Sequence, residues 1–538
     1  MNTTRSTRAA AIAASMALLI AACGSPTSDS PSSESKTDVA PTGGALDKTF
    51  VLTLPADPGA LDPALSVSNT LNSMAAFIYD PLVNVDLEGN VVSGLATSWE
   101  QQADKVTFTI KEGVTCSDGS AFTAQTAADN INFVADPENA SPWLGVGVPV
   151  GARAEADGAT LTMNLDQPAP FVLIGLSAMF LVCDAGLADR SILVGGATGT
   201  GPYTLEEIVP NDHYTFKIRK EYTWGPAGAA AAGSAMPGTV TMRVIESETT
   251  AANLLLAKEA NGGVVSGADA DRLDAAGLAF ISSVAVTGEQ WYNQANGHVT
   301  ADPAVRAALA QSVDLAELRK VITSGKGTPP TVFATVSPAA CPGDVLAAHL
   351  PAYDPEGAKA GLEAAGWSAG ADGKRSKDGT ALKIILLLPS SMGTPAAAGA
   401  ELAKAAWGAV GFEVDVQQLP EDQTVMILFS TGEWDVAWAT LNVGSPDQFM
   451  PFVTGPGPAE SGGNFSSIDN PEYAAKVAEA TSQLGADSCP TWLAAEAELV
   501  KANSVTPFAN TLRKMYLNGA VIDQSVSTSI PTAIEMTD

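Results

Sequence analysis

Positive charge is scarce in this chain. Lys and Arg together number 28 against 59 Asp and Glu, giving a formal net charge of -31 over 538 residues. So negative a body repels phosphate backbones, which argues against a nucleic-acid partner, and it repels anionic lipid headgroups for the same reason. Histidine is scarcer still. His213, His298 and His349 are the 3 in the chain, and they are scattered with no metal-ligand spacing. Asp269, Asp271 and Asp274 lack the glycine and terminal Glu of a calcium loop and read as a solvated helix face. Long apolar runs are missing from the body, where none approaches the roughly 20 residues that a membrane-spanning helix needs. No G-x-S-x-G elbow, H-E-x-x-H helix or Walker loop occurs, which weighs against a secreted hydrolase.

Apolar material is nonetheless plentiful. Hydrophobic residues make up 46% and charged residues 16% of the chain, enough for two or three globular domains. The start of the chain has its own pattern. Arg5 and Arg8 precede the small, apolar run Ala9 to Ala22, the layout of an export signal over residues 1–22. The run is too short to span a membrane, and its end, Ile20-Ala21-Ala22-Cys23-Gly24, resembles the bacterial lipobox, which implies a lipidated Cys23. From there to residue 46 the chain is rich in Ser, Pro, Thr and Gly, the composition of a flexible tether. The expected location is the outer face of the cytoplasmic membrane, exported and lipid-anchored.

With Cys23 set aside, Cys116, Cys183, Cys341 and Cys489 remain. Four cysteines in an exported chain suggest two disulfides, and three connectivities are open. Strands are expected at Thr49–Pro55, Val106–Ile110, Tyr214–Ile218, Thr239–Ile245, Leu382–Leu388 and Phe412–Val416. Helices are expected at 123–134, with Thr123 as cap, and at 355–365 and 396–410. Such alternation indicates an α/β fold.

Several phrases are similar to the family 5 extracellular solute-binding proteins of ABC importers, the group with peptide and nickel receptors. They are Leu61-Asp62-Pro63, Tyr79-Asp80-Pro81-Leu82-Val83, Leu95-Ala96-Thr97-Ser98-Trp99, Gly113 to Thr123-Ala124, and Gly199-Thr200-Gly201-Pro202-Tyr203. Val305-Arg306 with Val313-Asp314, and Tyr353-Asp354-Pro355 through Ala364-Ala365-Gly366-Trp367, continue the same order. The resemblance implies a two-lobed periplasmic-binding-protein-like fold of the large, three-subdomain type, closing about a two-segment hinge. By analogy lobe I spans 47–250 with an inserted subdomain at about 66–190, lobe II spans 251–504, and 505–538 returns to lobe I. That division places Cys116 with Cys183 and Cys341 with Cys489, so the resemblance favours these two pairs.

It also implies where ligand sits. Trp291, Tyr292 and Asn293 resemble strand-end positions lining the cleft between lobes, and the stretch from Trp434 to Phe449, with Asn442 and Asp447, resembles a cleft loop. Peptide-binding members carry a Trp and, three residues later, an Asp for the peptide amine. The matching positions are Leu441 and Gly444, so Asp447 would have to replace that anion. The expected function is a substrate-binding lipoprotein that captures a small solute, foremost an oligopeptide or dipeptide, and delivers it to permease subunits. It would act as a monomer, with no cofactor, no bound metal and no catalytic residue. The alternatives are a receptor for a non-peptide solute or metal chelate, a solute sensor that delivers no cargo, and a secreted hydrolase.

Overall fold

The run Thr49-Phe-Val-Leu-Thr-Leu54 is apolar enough to be buried on both faces, and it forms a strand whose last three residues are all buried. In the computed structural model this strand sits inside a sheet of ten. The structure describes residues 45–537, apart from 67, 87–88, 232–234, 337–338, 461 and 523–529. The export signal, Cys23 and the tether up to residue 44 lie outside the described residues. The tether was expected to reach residue 46, yet Ala45 is already buried in a short turn, where its carbonyl accepts N–H groups of Lys48 and Gly238.

The ten strands are β1 (Thr49–Leu54), β2 (Tyr203–Val209), β3 (His213–Ile218), β4 (Thr239–Val244), β5 (Gly262–Val264), β6 (Ala279–Tyr292), β7 (Lys383–Pro389), β8 (Glu413–Leu419), β9 (Val436–Trp438) and β10 (Val505–Leu517). Across the sheet they run β8-β7-β9-β6-β10-β5-β1-β4-β3-β2. The long antiparallel pair β6 and β10 lies between a group built on β1 and a group built on β7, and pairs from Ala279 opposite Leu517 to Trp291 opposite Val505. Its register shifts on both sides of Gly288, where Thr287 on β6 and Phe508 on β10 each lack a partner in the ladder. An added Cβ on Gly288 would lie 2.4 Å from the Phe508 ring, so the crossing point accepts no side chain there.

Separate cores sit on the two sides of this pair. One gathers Phe50, Leu52, Phe77, Phe108, Leu161, Tyr214 and Phe216, joining the β1 group to the inserted region. On the other side, Leu386, Trp407 and Trp438 centre one cluster, and Trp291, Trp434, Phe465 and Trp492 centre an aromatic one. The molecule is thus two-lobed and α/β, joined through two strands. Between Ala96 and Asn164 an antiparallel four-stranded sheet forms. The helix Ala124–Ala135 beside it starts on the expected cap, with Thr123 and Thr126 bonding each other's backbone N–H. Cys116 is joined to Cys183 and Cys341 to Cys489, with Cα–Cα distances of 6.2 and 5.2 Å.

Several of the motif residues hold the first lobe together. Asp80 is buried and accepts hydrogen bonds from Thr200, Tyr222 and Trp224 at 2.9, 2.8 and 3.2 Å. Gly201 lies against Ile78, where a Cβ would be 2.6 Å from the backbone, which explains glycine in that phrase. Asp62 accepts two bonds from Arg190, at 2.7 and 2.5 Å, and the guanidinium lies 3.8 Å over the Phe133 ring. Asp269, Asp271 and Asp274 lie on the short helix Gly267–Ala275, ion-paired with Arg272, Lys326 and Lys514. Among the described residues no group of three or more His, Cys, Asp or Glu is placed to hold a metal.

Candidate functional site

Strand direction locates the site. β6 runs from the first lobe to the second, and β1, β4 and β5 run parallel to it, so their carboxyl ends point toward the second lobe. β9 is antiparallel to β6, and β7 and β8 are parallel to β9, so their carboxyl ends point back. In open α/β sheets ligands gather beyond the carboxyl ends of parallel strands. Here two such edges face each other across the β6–β10 crossing. The segments leaving β7, β8 and β9 are residues 390–393, 420–421 and 439–445.

Two cavities flank the last of these segments. One, of about 240 Å³, lies at the crossing and is lined by Val286, Thr287, Ser391, Met392 and Thr440. The other, of about 230 Å³, lies between Gly145–Val172 of the inserted region and Ser445–Pro451 of the second lobe. Contacts span the second one. The Gln448 side chain donates to the Val146 carbonyl at 3.2 Å, and the Gly485 N–H donates to the Pro170 carbonyl at 3.1 Å. Phe171, only 4% exposed, leaves its own subdomain and packs in the aromatic cluster of the second lobe.

The expected contact residues divide into two groups. Trp291, Tyr292 and Asn293 lie together at the end of β6 and are fully or almost fully buried, and none of them lines either cavity. Their polar atoms are engaged internally. Trp291 donates to the Ala439 carbonyl at 2.8 Å, and the Tyr292 hydroxyl meets Thr506 at 2.9 Å. The Asn293 amide donates to the Gly432 and Trp434 carbonyls at 3.2 and 3.1 Å. In this structure they lie behind the cleft segment, with the Phe449 and Phe465 rings tilted against Trp291.

Asn442 and Asp447 belong to the cleft segment itself. Asn442 is exposed, and its side-chain oxygen accepts the Val286 N–H at 2.9 Å, fastening the segment to the crossing strand. Asp447 lines the cavity between the inserted region and the second lobe. It accepts the Ser445 hydroxyl and the N–H groups of Phe171 and Gln448, and burial holds its pKa above the ordinary carboxylate value. It therefore links the two lobes.

Two further carboxyls brace the cleft from inside. Glu289, 1% exposed, accepts the Leu441 N–H at 2.9 Å, and Glu496, 2% exposed, accepts the Phe333 N–H at 3.1 Å. Burial pushes them up to about 8 and about 7, and for Glu289 the nearby Glu496 adds to the rise. Neither they nor Phe171 and Met450 stood out in the sequence. A lone Glu in a strand carries no marker, and the partners of all four are distant along the chain.

Facing strand ends, a two-strand crossing and cavities between lobes define a solute-binding protein of the two-lobed kind. The family of bacterial extracellular solute-binding proteins, family 5, matches residues 90–461, and the chain belongs to it. Among curated relatives, the nickel-binding periplasmic protein of Escherichia coli K12 is 29% identical over 376 residues, covering 67% of this chain and 69% of that protein. The periplasmic murein peptide-binding protein MppA of the same strain is 25% identical over 477 residues, covering 79% and 81%. Among solved structures, a substrate-binding protein from Microbacterium hydrocarbonoxydans, complexed with 4-hydroxybenzoate hydrazide, superposes with a TM-score of 0.71 at 24% identity. The match covers 91% of this chain and 100% of that one.

Proposed function

We propose that this protein is the substrate-binding lipoprotein of an ABC importer. It captures an extracellular solute, foremost a short peptide, between its lobes and presents it to membrane permease subunits. The observation that carries this reading is the pair of facing strand-end edges on either side of the β6–β10 crossing, about which the lobes would rotate to enclose a solute. No covalent chemistry is needed, so the protein is not an enzyme. Ligand favours closure only by binding the closed form better than the open one. The lobe boundary fits best within β6, because β5 pairs with β1 and so belongs to the first lobe. We read the apolar run Ala9 to Ala22 as an export signal and Cys23 as the lipidated residue that would hold the protein, as a monomer, at the outer membrane face.

Peptide stands first because a relative matched over most of its length is named for a murein peptide. The amine is not held by Asp447, whose oxygens are engaged, so a peptide would be gripped through its backbone by the 439–445 segment and Asn442. Mass spectrometry of solute released on denaturing the purified protein tests this. A set of short peptides is the expected result, whereas a single non-peptide solute or a metal chelate would overturn the peptide reading and leave the receptor reading standing. Radiolabelled fatty acid should enter the native chain and not its Cys23→Ala variant.

A further inference from the structure

The cavity between the inserted region and the second lobe has unusual walls for a site between two polar surfaces. Val146, Val150, Met450 and Pro451 supply apolar surface, and Val150 at the rim is 68% exposed. Five side chains with hydrogen-bonding groups also line it, and four are already engaged. The Gln448 amide donates to Val146 and accepts the Gly444 N–H at 2.9 Å. Thr481 donates to the Val477 carbonyl at 3.0 Å, and Ser445 donates to Asp447. Asp447 receives backbone N–H groups besides. Only Gln167, exposed at the edge, has no such engagement among the described residues.

Away from Gln167 at the edge, a charged group entering this cavity would lose water and find its polar neighbours already engaged, which is costly. An apolar group would lose nothing polar and would cover the valines, methionine and proline. Size points the same way. A dry apolar cavity of about 150 Å³ already admits benzene, and this one measures about 230 Å³.

We propose that this cavity is a subsite for one uncharged apolar group of the cargo, of aromatic or branched aliphatic size. This rests on the reading of the protein as a solute receptor, and it assigns Asp447 to positioning the walls rather than to recognising an amine. Because the walls come from both lobes, an occupant touches both only in the closed form, and its apolar contact therefore favours closure.

The experiment uses the full chain with [13C]methyl-methionine and follows the Met450 methyl resonance, assigned by Met450→Leu. Indole is the probe, and butylammonium is the charged control. The expected result is a saturable Met450 shift with indole, none with butylammonium, and at least tenfold weaker indole binding in Val150→Trp, where the rim is filled. No saturable shift with indole, or an equal one with butylammonium, overturns the subsite. Calorimetry with Ala-Phe-Ala, Ala-Ala-Ala and Ala-Lys-Ala separates the two readings. If indole seats but no peptide binds, the subsite stands and the peptide reading falls. If all three bind alike without moving Met450, the subsite falls and the peptide receptor stands.

Discussion

Glu289 and Glu496 are carboxylic acids with no ion pair among the described residues, and Glu496 has one oxygen without any hydrogen-bond partner. Two such groups cannot both carry charge in the core without large cost, so the fold favours their protonated forms. Unfolded glutamates titrate near about 4.3, whereas these are pushed up to about 8 and about 7. Between those limits the folded chain holds more protons than the unfolded one, so stability falls as pH rises, and the loss is complete above the folded values. Asp80, pushed to about 6, acts in the same sense at lower pH. His213, raised by its neighbours Asp212 and Glu207, also loses stability as pH rises, but it lies at the surface where such pairs contribute little. Thermal melts between pH 5 and 9 should therefore show a falling midpoint, with much of the slope between pH 6 and 8. Glu496→Gln should flatten that slope and raise the midpoint at pH 8 by about 1 °C, what about 1 kcal/mol gives a chain of this size. A slope unchanged in both Glu289→Gln and Glu496→Gln would mean that the pair holds no extra proton.

The crossing of β6 and β10 depends on what is missing from one residue. Gly288 sits at the register shift with the Phe508 ring where its side chain would be. Gly288→Ala should cost about 1–3 kcal/mol, the usual penalty for overpacking a filled core. Denaturant midpoints would read it, and Phe508→Leu should recover part of the loss in a double-mutant cycle. Equal losses with and without Phe508 would place the strain elsewhere. These two strands were also the elements least legible in the sequence. The strands at 49–54, 105–110 and 383–389 and the helix capped by Thr123 announce themselves through local alternation, apolar runs and a capping side chain. β6 does not, because it passes from a largely exposed stretch at Ala279–Ser283 to a wholly buried one at Gly288–Tyr292, with a register shift between. No single period survives that change. The cleft segment with Asn442 and Asp447 was legible only through family likeness. The burial of Trp291, Tyr292 and Asn293 was not legible, because a strand end can face either a cleft or a core, and Phe449 and Phe465, which pack against Trp291, lie far along the chain.

At the scale of the whole molecule the question is how closure is balanced, and Phe171 is where to ask it. The stretch Gln167-Pro-Ala-Pro-Phe171 reads locally as a turn, yet its last residue is buried among side chains of the second lobe. The Asp447 carboxyl accepts the Phe171 N–H, Gly485 donates to Pro170, and Gln448 donates to Val146. These contacts run directly from one lobe to the other. A receptor held too firmly would bind slowly, and one held too loosely would have to obtain all of its closure from the ligand. Removing a buried phenylalanine ring costs about 3–5 kcal/mol, and each 1.4 kcal/mol shifts an open–closed ratio about tenfold. Phe171→Ala should therefore populate the open form in the absence of ligand, seen as a larger radius of gyration by small-angle scattering. It should also release bound solute faster while leaving the first lobe folded. Asp447→Ala should move both quantities the same way by a smaller amount, because it removes an acceptor but leaves the ring seated. If neither variant changes the scattering profile or the release rate, the Phe171 contact does not set the closure balance. The two crossing strands alone would then govern it.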